Sequence, residues 1–349
     1  MAPKAIVVTA LELVTQAHAK VDLTSCDLEP IHQIGAIQPV GFLIATTSDW
    51  LISRVSSNAF DFLGSSIQAL VGTPLRDVFL PEAVHTIRNR VTMLRGPDAV
   101  ERIFAIALQN DKLLFDIAVH ISGLMIIIEA EPSEASGKLN AGAMVRSMMS
   151  RMQGHTDLPR EAVRLVQSVT GFDRVMIYRF HADDSGEVIA ERARAGLAPF
   201  LGLRYPAEDI PRQARDLLVR NIVRLLADVD APPILVVPQL DANHEPLDLS
   251  MSTLRAHSIM CIEYLKNMGV GATMTVSLVR DGRLWGLISC HHMSARHVGF
   301  EQRTTVELFG QLLSFLIADQ ERAELATYET RMGELQRQLG AALLRSGAP

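Results

Sequence analysis

Short apolar runs separated by polar turns fill the first third of the chain. Residues 42–45 and 51–55 have the alternation and flanking turn residues that predict two strands of a hairpin. Residues 121–129, interrupted by Gly123, predict a later buried strand. The stretch 132–138 is polar and rich in small residues, which is typical of a linker. We therefore predict a domain boundary there.

The second half of the chain mixes helical and strand patterns. A helix is predicted to begin at Asp157, whose carboxylate can accept hydrogen bonds from free backbone amides, and to end at Gly171. Residues 175–180 read as a strand. Residues 274–279 and 284–290 predict a hairpin, because the Asp-Gly pair between them suits a type I′ turn. The pattern predicts an α+β domain with helices on one side of an antiparallel sheet.

The last stretch has a different periodicity. Apolar side chains recur there at spacings of 3, 4, 3, 4 and 3, at Leu325, Tyr328, Met332, Leu335, Leu339 and Ala342. We call these six residues the C-terminal seam. Such an a/d pattern is typical of helices that pair in a dimer or lead into a further domain. One amphipathic helix folded onto its own domain is the alternative.

Composition narrows the class of protein. The chain has 349 residues, 48% of them apolar, which is enough for about two domains. The longest apolar runs are too short to span a membrane, and no secretory signal is recognisable, so a cytoplasmic protein is expected. A net charge of −6 without a basic cluster gives no indication of a nucleic-acid-binding surface. Three widely spaced cysteines, Cys26, Cys261 and Cys290, argue against a disulfide scaffold.

Six short motifs follow one another in a fixed order. They are CDLEPIH (26–32), IQPVG (37–41), GFDRVMIYRF (171–180), RYPAEDIP (204–211), YLKNMGV (264–270) and LWGLISCHH (284–292). Together they resemble the chromophore-binding region of bacteriophytochromes, the bilin-binding red-light sensors of bacteria. Because several independent motifs agree in order, the resemblance is specific.

The resemblance implies a domain plan. A PAS domain is expected over residues 25–131 and a GAF domain over 139–320, both with antiparallel sheets flanked by helices. An N-terminal extension (1–24) would precede them, and a helical linker (321–349) would follow. In the family the N-terminal segment threads through a loop of the GAF domain and forms a knot. Members are homodimers that continue into a PHY domain and a histidine kinase or another output module, so the full-length protein is expected to be a sensor histidine kinase, while this region carries no catalytic residue.

Seven residues match family positions that bind biliverdin: Cys26, Tyr178, Asp209, Arg224, Arg255, Tyr264 and His291. The resemblance implies that the cysteine forms a thioether with the bilin and that the aspartate lies over the pyrrole nitrogens. The two arginines would hold the propionates, since guanidinium groups suit carboxylates. The histidine would bond the D-ring carbonyl, and the tyrosines would wall that ring.

Five other pocket positions depart from the family: Val40, Leu203, Glu208, Leu218 and Cys261. The family usually has histidine where Cys261 stands. It commonly has histidine at the positions of Val40 and Leu203, serine at Glu208 and tyrosine at Leu218. Each unmade buried hydrogen bond costs about 1–3 kcal/mol. We therefore expect biliverdin binding to be weakened or lost.

Three hypotheses for function remain open from the sequence. The chain is a bilin-free sensor that uses the thiols of Cys26 and Cys261 for redox sensing, a working biliverdin photoreceptor module attached through Cys26, or a passive dimerisation scaffold. Cys290 is expected to pack in the core. Zinc binding by Cys290, His291 and His292 is not expected, because neighbouring strand residues point to opposite faces.

Overall fold

The protein contains two antiparallel sheets. The structure is a computed structural model that describes residues 29–110, 112–134 and 140–345. The predicted N-terminal extension and Cys26 therefore lie outside the described residues. One sheet has seven strands and the other has six.

The seven-stranded sheet is built mainly from the first third of the chain. Its strands are β1 (Ala36–Ile37), β2 (Phe42–Thr46), β3 (Ile52–Ser56), β4 (Val100–Ala107), β5 (Leu114–Ser122), β6 (Met125–Pro132) and β11 (Ile234–Val237). They lie in the order β1-β11-β3-β2-β6-β5-β4. Helices α1 (Ala59–Leu63), α2 (Ile67–Leu70) and α3 (Pro81–Met93) accompany it, with a 3₁₀ turn at Leu75–Asp77. Their apolar side chains share a buried cluster with the sheet around Phe42, Ile87 and Phe115. The predicted β2–β3 hairpin is confirmed.

The single strand predicted over residues 121–129 was wrong. Strand β5 ends at Ser122 and β6 begins at Met125, so the segment contains a hairpin turn. Gly123 lies in that turn with φ of +57°, a conformation that side chains with a Cβ rarely adopt. The two strands pair from Ser122–Met125 to Phe115–Pro132. The apolar pattern continues on both sides of the turn, so it did not reveal that the chain reverses direction there.

The six-stranded sheet belongs to the second half of the chain. Its strands are β7 (Arg174–Phe180), β8 (Gly186–Ala193), β9 (Arg204–Tyr205), β10 (Val223–Leu226), β12 (Ala272–Arg280) and β13 (Arg283–His292). They lie in the order β10-β12-β13-β7-β8-β9. Its helices are α4 (Ala141–Met152), α5 (Leu158–Thr170), α6 (Arg212–Arg220), α7 (Ile259–Asn267) and α8 (Phe300–Arg345), and a 3₁₀ turn spans Ala207–Asp209.

Local signals in this half are confirmed. Oδ1 of Asp157 accepts a hydrogen bond from the amide of Arg160 at 3.0 Å, which caps α5. Gly171 ends that helix with φ of +66°. Asp281 and Gly282 both have positive φ in the β12–β13 turn, as a type I′ turn requires.

The helices occupy both faces of this sheet, whereas the sequence predicted helices on only one face. Helices α4, α5 and α8 cover one face, where Val166, Met274 and Phe309 share a buried cluster with the strands. The short helices α6 and α7 lie against the opposite face. Leu218 of α6 packs there with Tyr178. The candidate site lies on this second face.

The first described residues pass between two parts of the connection (227–258) that joins β10 to α7. The carbonyl of Gly35 accepts from the amide of Val236 at 2.9 Å, and the carbonyl of Ala36 accepts from the amide of Ala256 at 3.0 Å. Strand β11, which belongs to this connection, pairs with β1 and with β3. This threading is consistent with the predicted knot.

A polar network joins the seven-stranded sheet to the start of α8. The carboxylate of Glu131 on β6 forms an ion pair with Arg303, and the two side chains are only 3% and 6% exposed. His297 lies 3.1 Å from Glu131 and 3.3 Å from Glu134. The guanidinium of Arg303 also lies over the ring of Phe300. Buried charges therefore hold the two halves together.

Helix α8 is one continuous helix of 46 residues. Its first part packs against β12, and Gly310 allows that approach because a Cβ there would meet Val276 at 2.9 Å. Glu321, further along, is held by Arg280, by Arg179 and by the indole of Trp285. Beyond Glu321 the seam side chains from Leu325 to Leu339 are exposed. Within the described part of the chain, no helix is long and apolar enough to cross a membrane.

Candidate functional site

The face of the six-stranded sheet that carries α6 and α7 brings together distant parts of the sequence. Strand register places Tyr178 beside Leu287, Met176 beside Ser289 and Arg174 beside His291. Because side chains alternate along a strand, all six point to the same side of the sheet. His292 points to the other face and lies 3.1 Å from Asp173.

Two buried arginines lie at the β10 end of this face. Arg224 on β10 is 8% exposed, and its guanidinium donates to the carbonyls of Ser252 at 3.2 Å and Arg255 at 3.0 Å. Arg255 is 4% exposed and donates to the carbonyl of Ile31 at 2.6 Å, while its Nε has no hydrogen-bond partner among the described residues. Burial lowers the pKa of Arg224 to about 10. Burial and the neighbouring charge of Arg224 lower the pKa of Arg255.

Neither arginine forms an ion pair with a carboxylate in the described part of the chain. Elsewhere in the fold, buried arginines such as Arg174 and Arg303 are paired with Glu191 and Glu131. A buried guanidinium without a counter-ion is costly, so such groups normally coordinate an anion. Arg224 and Arg255 together are therefore a candidate site for an anion, which we call the anion site, and the Nε of Arg255 is its unpartnered donor among the described residues.

The opposite side of the site contains Asp209 and three tyrosines. Asp209 ends a 3₁₀ turn and accepts a hydrogen bond from the hydroxyl of Tyr264 on α7. Partial burial raises the pKa of the Asp209 carboxyl, and that hydrogen bond opposes the change. The ring of Tyr178 packs tilted on Tyr205 with centroids 5.9 Å apart. Gly186 makes room for it, since a Cβ there would overlap the ring.

His291 lies between the arginines and the aromatic side. Its Nε2 is 3.3 Å from the hydroxyl of Ser289, and its Nδ1 is buried without a hydrogen-bond partner among the described residues. Burial, together with the charge of Arg174, lowers the pKa of His291 to about 4. The ring is therefore neutral near pH 7 and retains hydrogen-bonding capacity on a buried nitrogen.

Comparisons with known proteins agree with this architecture. The PAS fold family matches residues 26–133, and the GAF domain family matches residues 156–319. The solved chromophore-binding domain of a Stigmatella aurantiaca bacteriophytochrome, in the Pr state, has 39% sequence identity and a TM-score of 0.76, covering 84% of this chain and 99% of that one. The chain belongs to the bacteriophytochrome family.

Other similar proteins belong to the same family or are phytochromes. The chromophore-binding domain of an unusual bacteriophytochrome from R. palustris is 37% identical, has a TM-score of 0.76 and covers 86% of this chain and 99% of that one. The bacteriophytochrome of Pseudomonas aeruginosa is 38% identical over 88% of this chain, and cyanobacterial phytochrome B of Nostoc is 37% identical over 87%. The chain spans 42% of the length of each of these last two relatives.

The residues present in this bacteriophytochrome fit part of a bilin. The unpaired Nε of Arg255 and the unpaired Nδ1 of His291 are buried polar atoms that a bound molecule can satisfy. Two neighbouring guanidinium groups suit two carboxylates. Tyr178 and Tyr264 supply flat walls. Cys26, the expected attachment residue, lies outside the described residues.

Cys261 is the departure that lies next to the anion site. It stands in the first turn of α7, where its amide donates to the hydroxyl of Ser258 at 3.3 Å. Its side chain is half-buried and packs in an apolar cluster with Leu226 and Leu265. Burial raises the pKa of the thiol to about 11, although the nearby Arg224 lowers it in part. The group at this position is therefore a neutral thiol, which is a weak hydrogen-bond donor.

The other four departures lie in different surroundings. Leu218 is half-buried in the apolar cluster that contains Tyr178. Val40 packs between two hydrophobic cores, and Leu203 and Glu208 are exposed. The structure thus brings Leu218 and Cys261 to the site and leaves the other three at its margin or outside it.

Sequence reasoning missed several residues at the site. The Nδ1 of His257 lies 3.4 Å from the guanidinium of Arg224, and Ser289 contacts His291. Burial lowers the pKa of His257, with Arg224 and Arg255 acting in the same direction. Alternation along β13 could have identified Ser289, whereas His257 precedes a helix and gave no signal. Cys290 is buried in the core as expected. Among the described residues no group of acidic, histidine or cysteine side chains is arranged to bind a metal.

Proposed function

We propose that this chain is the sensory input module of a bacteriophytochrome-type signalling protein, and that its pocket accepts biliverdin with lower affinity than pockets with histidine in place of Cys261. The observation that supports this proposal is that Arg224 and Arg255 are buried and have no carboxylate partner in the described part of the chain, unlike other buried arginines of the fold. Biliverdin is a dicarboxylate, and when bound it supplies absorption of red light.

The chain's own residues divide the work of binding. Arg224 and Arg255 bind the two propionates and remove the cost of their buried charges. His291 offers a neutral ring for the carbonyl of the terminal ring. Asp209, oriented by Tyr264, accepts from the pyrrole nitrogens, and Tyr178 holds the ring from the side. Cys26 is the proposed attachment thiol.

The lower affinity is attributed to Cys261 and Leu218. The thiol of Cys261 packs against Leu226 and Leu265, and Leu218 packs against Tyr178, so neither offers a strong polar group to the ligand. An imidazole and a phenol at these positions would each add a hydrogen bond. One such bond contributes about 0.5–1.5 kcal/mol.

The test is a titration of the purified chain with biliverdin, followed by absorption in the red. The parent should bind weakly, and Cys261→His with Leu218→Tyr should bind about tenfold more tightly because two hydrogen bonds are restored. Cys290→Ala changes a thiol that faces away from the site and serves as the matched control. Cys26→Ser should abolish a covalent adduct without removing the non-covalent phase.

Two results would overturn the proposal. Complete absence of binding by the parent and by the restored variant, both folded, would exclude a bilin pocket. Equal, tight binding by all variants would exclude the attributed role of Cys261 and Leu218.

Redox sensing through Cys26 and Cys261 receives less support. A reactive cysteine normally has a lowered pKa, because the thiolate is the nucleophile. Burial instead raises the pKa of Cys261 to about 11. A passive scaffold explains neither the unpaired Nε of Arg255 nor the unpaired Nδ1 of His291 among the described residues.

We also propose that the chain forms a homodimer through α8 and that PHY and kinase or other output domains follow it in the whole protein. Support comes from the exposed apolar side chains on α8. They include the C-terminal seam and, earlier on the same helix, Leu308, Leu312 and Phe315. Exposed apolar stripes of this length are typical of helix pairing.

A charge in the seam should weaken this dimer. Met332→Glu with Leu335→Glu is expected to lower the dimer fraction in sedimentation, because paired seam residues would bury the new carboxylates against each other. Thr330→Glu, on the opposite side of the helix, adds a charge without touching the seam and should leave the dimer intact. An unchanged balance in the double variant would assign the seam to another contact.

A further inference from the structure

Glu129, a carboxylate of the PAS domain, contacts the backbone that carries Arg255. It lies in the middle of β6, paired with Leu43 of β2 and Ala118 of β5, and is 1% exposed. Its Oε1 accepts from the amide of Leu254 at 2.8 Å, and its Oε2 accepts from the amide of Thr253 at 3.0 Å.

Both arginines of the anion site depend on this short stretch of backbone. The guanidinium of Arg224 donates to the carbonyls of Ser252 and Arg255, which flank Thr253 and Leu254. On its other side the stretch is bonded to the threaded N-terminal segment, where the amide of Gln38 donates to the carbonyl of Leu254 at 2.7 Å. Glu129 therefore fixes the stretch from the PAS side.

The charge of Glu129 also matters to the pair. The field of Glu129 favours the charged form of both Arg224 and Arg255, whereas each arginine disfavours the other. Because the oxygens of Glu129 accept from backbone amides, Glu129 does not occupy the Nε of Arg255, which has no hydrogen-bond partner among the described residues. Burial raises the pKa of Glu129 to about 7, and the hydrogen bonds from the amides of Leu254 and Thr253 oppose that change, so the charged form is favoured above this pH.

We propose that Glu129 is a positioning residue for the bilin carboxylates: it holds residues 253–255 and offsets the charge of the two arginines without occupying their donors. The proposal rests on the proposed function, since it concerns the same site. A glutamine at this position would keep one acceptor but would direct an amide N–H₂ at a backbone N–H. The stretch would then shift, and the offsetting charge would be lost.

The experiment compares biliverdin with its dimethyl ester, which lacks the two carboxylates. For each variant the ratio of the two dissociation constants is measured by absorbance titration. Glu129→Gln should reduce the preference for the acid about tenfold while changing ester binding little. A role limited to folding would change both affinities together and leave the ratio unchanged.

Matched variants complete the design. Glu131→Gln alters a second buried carboxylate of β6 that pairs with Arg303, and it should leave the ratio at the parent value. Glu129→Asp keeps the charge and should give an intermediate ratio, which provides a measurement if Glu129→Gln does not fold. In an Arg255→Gln background, Glu129→Gln should have less effect on the ratio.

The outcomes separate the two proposals. If the parent binds neither compound, the proposed function fails. If the parent prefers the acid but Glu129→Gln and Glu129→Asp both retain that preference, only the role of Glu129 is overturned.

Discussion

Arg255→Gln is expected to weaken biliverdin binding at least about thirtyfold, because truncating one partner of a buried charge pair costs about 2–5 kcal/mol. Arg255 is 4% exposed and has an unpaired Nε among the described residues, so a ligand carboxylate would contact it out of reach of bulk water. Glutamine keeps a polar side chain but is shorter and removes the charge. The measurement is an absorbance titration at constant salt.

Arg54→Gln is the matched control for that loss. Arg54 is also buried, donates to the carbonyls of Gln239 and Glu245 and lies in the seven-stranded sheet. It should change stability but not the affinity of the folded protein for biliverdin. Circular dichroism before each titration separates folding from binding. Parent-like affinity in Arg255→Gln would mean that the anion site is not used by the ligand.

The second large effect is expected at the interface between the PAS and GAF domains. Arg303→Met leaves Glu131 buried without its guanidinium partner, and breaking a buried pair in this way costs about 3–5 kcal/mol of unfolding free energy. The two side chains are 6% and 3% exposed, so water cannot replace the lost contact. Denaturant unfolding at neutral pH measures the effect.

The pH dependence of that effect follows from Glu131. Burial acts to raise the pKa of Glu131, but Arg303 and His297 together hold it below the usual value of 4.5. A carboxyl with a lowered folded-state pKa contributes stability above the unfolded-state pKa, and that contribution is lost as pH falls through the folded-state value. In Arg303→Met the raising effect of burial is no longer opposed by Arg303, so the difference between parent and variant should be largest at neutral and higher pH and should shrink as the pH falls into the acid range.

Two further variants identify the source of the loss. Arg303→Met combined with Glu131→Gln should recover part of the stability, because no unpaired charge remains. Arg102→Met removes a second pair between the domains, with Glu307, that is more exposed, and should cost less. Equal losses for Arg102→Met and Arg303→Met would show that burial does not set the cost.

Local chemistry made much of this fold predictable. The cap at Asp157, the C-cap at Gly171 and the Asp281-Gly282 turn each depend on neighbouring residues alone, and each is confirmed. The sharing of one sheet face by Tyr178 and His291 also follows from alternation along strands once their pairing is given.

Contacts between distant segments were beyond the sequence pattern. Strand β11 stands between prolines and reads as a loop, yet it completes the sheet of the other domain by pairing with β1 and β3. The arginines at 224 and 255 meet only because the connection between them folds back. In the sequence Glu129 is the polar end of an apolar strand. The positioning role proposed for it depends on its contact with that same connection. The motif resemblance identified the two arginines, whereas only the fold shows the contacts that hold them in place.

The continuity of α8 has a consequence for how this region can be joined to other modules. With about 1.5 Å per residue, 46 residues form a rod roughly 70 Å long. Each residue inserted or deleted beyond Glu321 would turn everything downstream by about 100°. Seven residues would restore nearly the same heading. Fusions made along this rod should therefore fall into classes with a period of seven residues, each class giving the attached module a similar orientation.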